Sequence, residues 1–238
     1  MALYALGDLH LSFEANKPMD VFGSRWENYV EKLRIGLSRI TPADTTVLLG
    51  DLSWSMDLAK AREDFAFISA IPGRKIILKG NHDYWWTTAS KFYAFCRENG
   101  FEDLWVLHNN CYYYGDTALC GTRGWFYEED RHGEHDEKVF NRELIRLETS
   151  LKQAGDAEKI CFLHYPPVYR GYLCRPILDL LHRYGVRECY YGHLHAESHC
   201  LAVTGLFEGI SFHLVSADYL NFVPAVVKTE ELSENSLK

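Results

Sequence analysis

The sequence predicts an α/β protein built in layers, with mixed rather than purely parallel sheets. Three observations lead to this class: short apolar runs that close on polar or turn residues, helical apolar periods lying between the first of those runs, and a change to mostly strand-like segments from about residue 186.

The strands come first. LYALGD (3–8), TVLLGD (46–51), KIILKGN (75–81), ICFLH (160–164) and CYYGH (189–193) each read as a buried strand running into polar residues. Between them lie helical patterns. SRWENYVEKLRIGLSRI (24–40) places Trp26, Val30, Leu33, Leu37 and Ile40 on one face, and Ser24 and Glu27 have the spacing of a capping box. DLAKAREDFAFISAI (57–71) repeats the period with Leu58, Ala61, Phe65 and Ile68. TTASKFYAFCRENG (87–100) ends on a glycine stop, KVFNRELIRLETSLKQAG (138–155) is a fourth helix, and RPILDLLHRYG (175–185) carries Pro176 in its first turn. RECYYGH (187–193), SHCLAVTG (198–205) and ISFHLVSA (210–217) are the later strands. Residues 121–143 read as a charged loop insertion and 229–238 as a flexible tail. With no internal repeat, low-complexity tract or linker, residues 1–238 are expected to form one domain.

Composition narrows the class of function. At 47% hydrophobic and 24% charged, the chain has enough apolar residues for a packed core. A formal net charge of -8 gives no strong sign of nucleic-acid binding, which relies on a basic surface. The seven cysteines form no CxxC pair and sit mostly in apolar runs, as reduced core thiols do. No signal peptide or membrane span is evident, so a cytoplasmic location is expected.

Five polar signatures end predicted strands: Asp8-Leu9-His10, Gly50-Asp51, Gly80-Asn81-His82-Asp83, His164 and Gly192-His193-Leu194-His195. The carboxyl ends of strands are where ligands gather in α/β sheets. In extended backbone residues i and i+2 point the same way, so Asp8 can work with His10, and His193 with His195, while Asn81 and His82 turn apart. Asp8, His10, Asp51, Asn81, His164, His193 and His195 are seven carboxylate, imidazole and amide donors with no thiolate. Seven exceed the needs of one ion with an open position and suit two ions sharing a carboxylate. Nitrogen and oxygen donors together favour manganese, iron or zinc over calcium or magnesium. A lone buried histidine is ordinarily just a satisfied core residue; seven such groups buried without ions would cost several kcal/mol.

The order GDLH, GD, GNHD, H, GHLH resembles the calcineurin-like metallophosphoesterase superfamily, and the motifs span residues 8 to 195. The resemblance implies a four-layer αββα sandwich with two mixed β-sheets and a dinuclear metal centre. One cation would be held by Asp8, His10, Asp51 and His195. The other would be held by Asp51, Asn81, His164 and His193, with Asp51 bridging. It further implies hydrolysis of phosphate esters by in-line attack of a metal-bound hydroxide. His82 would be the general acid and Asp83 the carboxylate that orients it. Trp54, Tyr84 and Arg123 are candidate substrate contacts.

A small phosphorylated substrate, diester or monoester, is the first expectation. A nuclease, or a metal-dependent interaction scaffold without turnover, are the alternatives. The physiological substrate, the native metals and the oligomeric state are not set by the sequence.

Overall fold

A computed structural model describes residues 1–126 and 134–230, and all structural statements concern these residues. Its strands are β1 (Ala2–Leu6), β2 (Thr45–Leu48), β3 (Arg74–Ile77), β4 (Leu104–Val106), β5 (Cys111–Tyr114), β6 (Thr117–Thr122), β7 (Glu158–Leu163), β8 (Val168–Tyr169), β9 (Tyr172–Leu173), β10 (Glu188–Tyr191), β11 (Gly205–Phe207), β12 (Ile210–Leu214) and β13 (Ala225–Thr229). The α-helices are α1 (Tyr29–Leu37), α2 (Arg62–Ser69), α3 (Ala89–Asn99), α4 (Glu134–Gln153) and α5 (Arg175–Arg183).

One sheet runs β13-β1-β2-β3-β4, and the other runs β11-β12-β10-β7-β6-β5. The inner strands of both are parallel, and β13, β11 and β5 pair antiparallel at the edges. Both sheets are therefore mixed, as expected.

Three apolar cores make four layers. Leu3, Val47 and Ile76 of the first sheet meet Leu119, Ile160, Phe162 and Tyr190 of the second in a core between them. Outside the first sheet, Leu33, Leu37, Phe65, Ile68 and Phe92 of α1–α3 bury against Leu6, Leu48 and Ile77. Outside the second, Leu147 and Leu151 of α4 and Leu178 and Leu181 of α5 bury against Cys161, Leu163 and Phe212. Period-2 strands buried on both faces and helices with one apolar stripe require this arrangement.

Several local expectations are corrected. The first helix does not start at Ser24: residues 24–26 form a 3-10 turn, and Asn28, in the left-handed region at φ 53, precedes α1 without a side-chain cap. The break lets Trp26 drop into the core at 2% exposure. The second helix begins at Arg62, not Asp57. Of the expected strand 198–205, residues 198–201 belong instead to a 3-10 helix, Ala196–Leu201, where Ser198 Oγ accepts the His195 N–H and Asp218 accepts the Ala196 N–H, curling the chain. Of the 121–143 segment, Thr122 ends β6 and residues from 134 already belong to α4; 127–133 lie outside the described residues. Of the expected tail, Thr229 pairs with Ala2 and the Glu230 N–H donates to the Met1 carbonyl; 231–238 lie outside the described residues. The Gly100 stop and Pro176 in the first turn of α5 are found as expected.

The feature that positions the site is a seam between the sheets. Just past β1, the Gly7 N–H donates to the Val215 carbonyl at 2.7 Å, and the Ala217 N–H donates to the Gly7 carbonyl at 3.0 Å. This ties the carboxyl end of β1 in one sheet to that of β12 in the other.

Candidate metal centre

All five signatures converge on that seam. Asp8 and His10 follow β1, Asp51 follows β2, Asn81 and His82 follow β3, His164 follows β7, and His193 and His195 follow β10. They gather into two groups, Asp8–His10–His195 and Asp51–His164–His193, in each of which one donor atom per residue lies within 4.8 Å of the others. Asn81 joins the second group: its Oδ1 is 2.7 Å from His164 Nε2 and 2.9 Å from His193 Nδ1. Asp51 reaches both groups, with Oδ2 3.8 Å from His10 Nε2 and Oδ1 3.6 Å from His164 Nε2.

Convergence is achieved by left-handed turns, not by the extended alternation expected from the spacing. Asp8 (φ 62), His10 (φ 47), Asp51 (φ 50) and His193 (φ 72) all have positive φ. Such conformations are costly for side chains with a Cβ and persist where surrounding structure holds them. Here the Asp8 N–H donates to the Gly50 carbonyl and the His10 N–H to the Asp51 carbonyl, each at 2.9 Å. His193 and His195 consequently face different groups. Two glycines make room: a Cβ on Gly80 would strike the Asp51 carboxylate, and one on Gly192 would strike that of Asp8.

Hydrogen bonds fix the tautomers. His164 Nδ1 lies 2.9 Å from the Leu49 carbonyl, which can only accept, so Nδ1 carries the proton and Nε2 presents a lone pair. That lone pair faces the Asn81 and Asp51 oxygens, which are also acceptors. At His195, Nδ1 donates to Asp218 Oδ1 at 2.9 Å, which turns Nε2 toward Asp8 Oδ1 at 3.3 Å and His10 Nε2 at 3.3 Å. Buried acceptors packed against acceptors repel one another unless a proton or a metal cation lies among them. The donor set therefore fits metal ions.

The electrostatics agree. Burial raises Asp51 well above the ordinary carboxylate value, and the charges of Asp83 and Asp8 raise it further. Burial also pushes Asp8 up, but His195, His164 and His10 outweigh it and hold the carboxyl below the usual range. Burial pushes His193 down to about 3, helped by His164, and lowers His10 and His164 as well, keeping these rings neutral. Burial opposes charge on His195, yet the Asp8 and Asp218 carboxylates carry it up to about 10. The negative field that draws a proton to His195 is the field that would hold a cation.

His82 stands at the rim. Its backbone N–H donates to Asp51 Oδ1 at 2.8 Å, its Nδ1 is 3.2 Å from the Tyr84 hydroxyl, and Trp54 packs on its ring at 4.4 Å. Burial, then the charges of His164 and Lys17, push it down to about 4.

Asp83 does not orient that ring. Its carboxylate accepts the N–H groups of Gly80, Asp51, Leu52 and Ser53 and the Trp85 indole N–H, so it builds the loop carrying Asp51. The two side chains are neighbours in the chain and point apart.

The candidate substrate contacts differ in position. Trp54 stacks on His10 at 4.9 Å, and the Lys17 ammonium lies 3.1 Å from the centre of the Trp54 ring. Tyr84 is half exposed beside His82. Arg123 has its guanidinium near Glu143 and over the Trp125 ring.

Asp218 was missed by sequence reasoning. Fully buried at its side chain, it accepts from His195 Nδ1, from the Ala196 N–H at 3.0 Å, and lies 3.2 Å from His199 Nε2. The signal was present: ISFHLVSAD is another apolar run that closes on a carboxylate.

Comparison with known proteins gives the following. The family model described as calcineurin-like phosphoesterase matches residues 1–197. Among curated proteins no sequence matches. Solved structures with the same fold include phosphopantetheinyl hydrolase from Mycobacterium tuberculosis (TM-score 0.59, 14% identity, 96% of each chain covered). They also include AQ665 from Aquifex aeolicus, titled a protein of unknown function (TM-score 0.53, 15% identity, 94% of this chain and 95% of that one covered). A third is TT1561 of Thermus thermophilus (TM-score 0.50, 15% identity, 81% of each chain covered).

Proposed function

The chain belongs to the calcineurin-like phosphoesterase family and is a metal-dependent phosphoesterase; we propose that its substrate is a small phosphorylated molecule, a phosphodiester or phosphomonoester. Asp8, His10, Asp51 and His195 hold one cation, and Asp51, Asn81, His164 and His193 hold the other, with Asp51 shared. The observation that carries this assignment is the facing of unprotonated His164 Nε2 on the Asn81 and Asp51 oxygens. The mixture of imidazole nitrogen with carboxylate and amide oxygen donors favours manganese, iron or zinc over calcium or magnesium.

Such cations, when bound, neutralise phosphoryl oxygens and acidify water for in-line attack. The chain supplies the rest. Asp51 is pinned by the His82 N–H and by the loop that Asp83 organises. His82, held between Tyr84 and Trp54 at the rim, takes up a proton from water when the negative charge of a bound phosphate offsets the burial that lowers it, and gives that proton to the leaving oxygen. Trp54 covers both His10 and His82 and keeps bulk water from that face.

A hydrolase among the fold's neighbours supports turnover rather than binding alone. The core shared by both sheets supports reading 1–238 as one domain. Cytoplasmic residence is supported by seven unpaired thiols. Among the described residues no helix is long and apolar enough to cross a membrane.

The test is hydrolysis of bis(p-nitrophenyl) phosphate and p-nitrophenyl phosphate with added manganese. Manganese-dependent release of nitrophenol from either supports the reading, and the faster of the two assigns diester or monoester preference. Silence with both, in protein that has bound manganese, contradicts it.

A further inference from the structure

The Trp54 indole that covers His10 and His82 is itself held from outside, and one of the groups holding it is an ammonium that the reaction above does not use. The Trp54 backbone N–H donates to the Leu11 carbonyl at 2.9 Å, just past His10. Its ring N–H donates to Met19 Sδ at 3.1 Å. The Lys17 ammonium lies 3.1 Å from the centre of the ring, while His10 lies nearly parallel to that ring, at 21° and 4.9 Å. An ammonium at that height and a stacked imidazole do not fit on one face, so they take opposite faces. The order is therefore ammonium, indole, imidazole, with His82 tilted against the same indole at 4.4 Å.

Lys17 is built into this place. The Ser12 hydroxyl donates to its carbonyl at 2.9 Å, and its ammonium is also 5.8 Å from the centre of the Phe22 ring. The residue is half-buried, and among the described residues no carboxylate lies at ion-pair distance from it. The attraction that holds the ammonium is therefore that of the indole face. His82, by contrast, has little else to fix its ring. Its one side-chain hydrogen bond is to the Tyr84 hydroxyl at 3.2 Å, and Tyr84 is half exposed. The tilt of the imidazole thus depends on where Trp54 stands, and the stand of Trp54 depends on Lys17 and Met19.

We propose that Lys17 is a positioning residue: its ammonium presses the Trp54 indole against His10 and His82 and so fixes the His82 ring for proton transfer to the leaving oxygen. This rests on the phosphoesterase reading above, with His82 as the acid.

The experiment compares the manganese-loaded full chain with Lys17→Met and Lys17→Arg. Methionine keeps the reach of the side chain and loses the charge, whereas arginine keeps a cation for the ring. The substrates are a matched pair from whichever class the wild type turns over: phenyl and p-nitrophenyl phosphate, or diphenyl and bis(p-nitrophenyl) phosphate. Phenolate leaves poorly without a proton and p-nitrophenolate leaves well, so a misplaced acid slows the first ester selectively. Lys17→Met is expected to lose about 10-fold or more in kcat on the phenyl ester and less than about twofold on the nitrophenyl ester, with KM and manganese content near wild type. Lys17→Arg restores the phenyl ester rate. After burial and the charge of His164, the charge of Lys17 itself disfavours a protonated His82. Removing that charge alone would therefore speed the phenyl ester, and a fall reports position. A second readout needs no turnover: the His82 Cε1–H resonance of the metal-free protein, assigned with His82→Ala, moves in Lys17→Met and returns in Lys17→Arg. Equal loss on both esters, a faster phenyl ester in Lys17→Met, or a His82 resonance that does not move overturns the brace. Failure of the phosphoesterase reading would show separately, as no turnover of any of these esters by wild type while the His82 resonance still answers to Lys17.

Discussion

Asp218 Oδ1 receives the Nδ1 proton of His195 at 2.9 Å and thereby aims the other ring nitrogen at Asp8 and His10. The contact joins the segment after β12 of one sheet to a group whose remaining donors hang from the other. Carboxylates that hold a metal-bound imidazole in this way fix its tautomer and raise its basicity. Asp218→Asn should therefore keep the fold and weaken the first cation by about 10–100-fold. Competition with a fluorescent chelator measures this; an unchanged affinity would remove Asp218 from the site.

His82 makes no contact that the metal assignment requires. Its tie to Asp51 runs through its backbone N–H, which substitution preserves. His82→Ala is expected to retain both metals and to lose about 10²–10⁴ in kcat. Metal content by mass spectrometry alongside steady-state rates checks both halves; full activity would refute the acid role.

Trp85 is a core residue at 1% exposure, packed edge-on against Phe65 at 4.8 Å, and its indole N–H donates to Asp83 Oδ1 at 2.9 Å. Trp85→Phe takes one of five donors from a buried carboxylate and leaves a smaller ring. A loss of about 1–3 kcal/mol in urea unfolding is expected, and a variant as stable as wild type would show that the indole N–H contributes nothing.

Asp44 governs part of the acid response, far from the metals. Burial raises its pKa, but hydrogen bonds from the Thr41 N–H and hydroxyl and from the Ala2 N–H outweigh it and hold the value below the ordinary 3.8. The folded-state value being depressed, the stabilisation is fully present above pH 3.8 and is lost as pH falls through the folded-state value. Asp44→Asn should cost about 1–3 kcal/mol at neutral pH and shrink the difference from wild type under acid. Urea midpoints from pH 7 downward test the sign: a gap that widens toward acid would be the wrong one.

What could be read from the sequence follows from how local each signal is. The strands ending in Asp8, Asp51, Asn81, His164 and His193 were legible because an apolar run stopping at a polar donor is written in consecutive residues. The grouping of the donors into two sets was legible only through resemblance, since it depends on which strand lies beside which. Left-handed turns at Asp8 and His10 were hidden, because their stabilising partners, the carbonyls of Gly50 and Asp51, lie some forty residues away. The same holds for Asp83, whose placement next to His82 suggested a pair that the backbone directs to opposite sides. The role of Asp218 depended on the seam at Gly7, which no run of neighbours encodes. The start of the expected strand 198–205 shows the limit most clearly: its apolar residues favour a strand, and two side-chain hydrogen bonds curl residues 196–201 instead.

The central claim is that seven side chains hold a pair of cations with Asp51 shared between them. Manganese per chain, counted by mass spectrometry after loading and desalting, tests it most directly when wild type is compared with Asn81→Ala and Asp51→Ala. Two ions in wild type, one in Asn81→Ala and none in a still-folded Asp51→Ala is the result expected of a bridging carboxylate. A single ion in wild type, or an Asp51→Ala protein that keeps both, would contradict it.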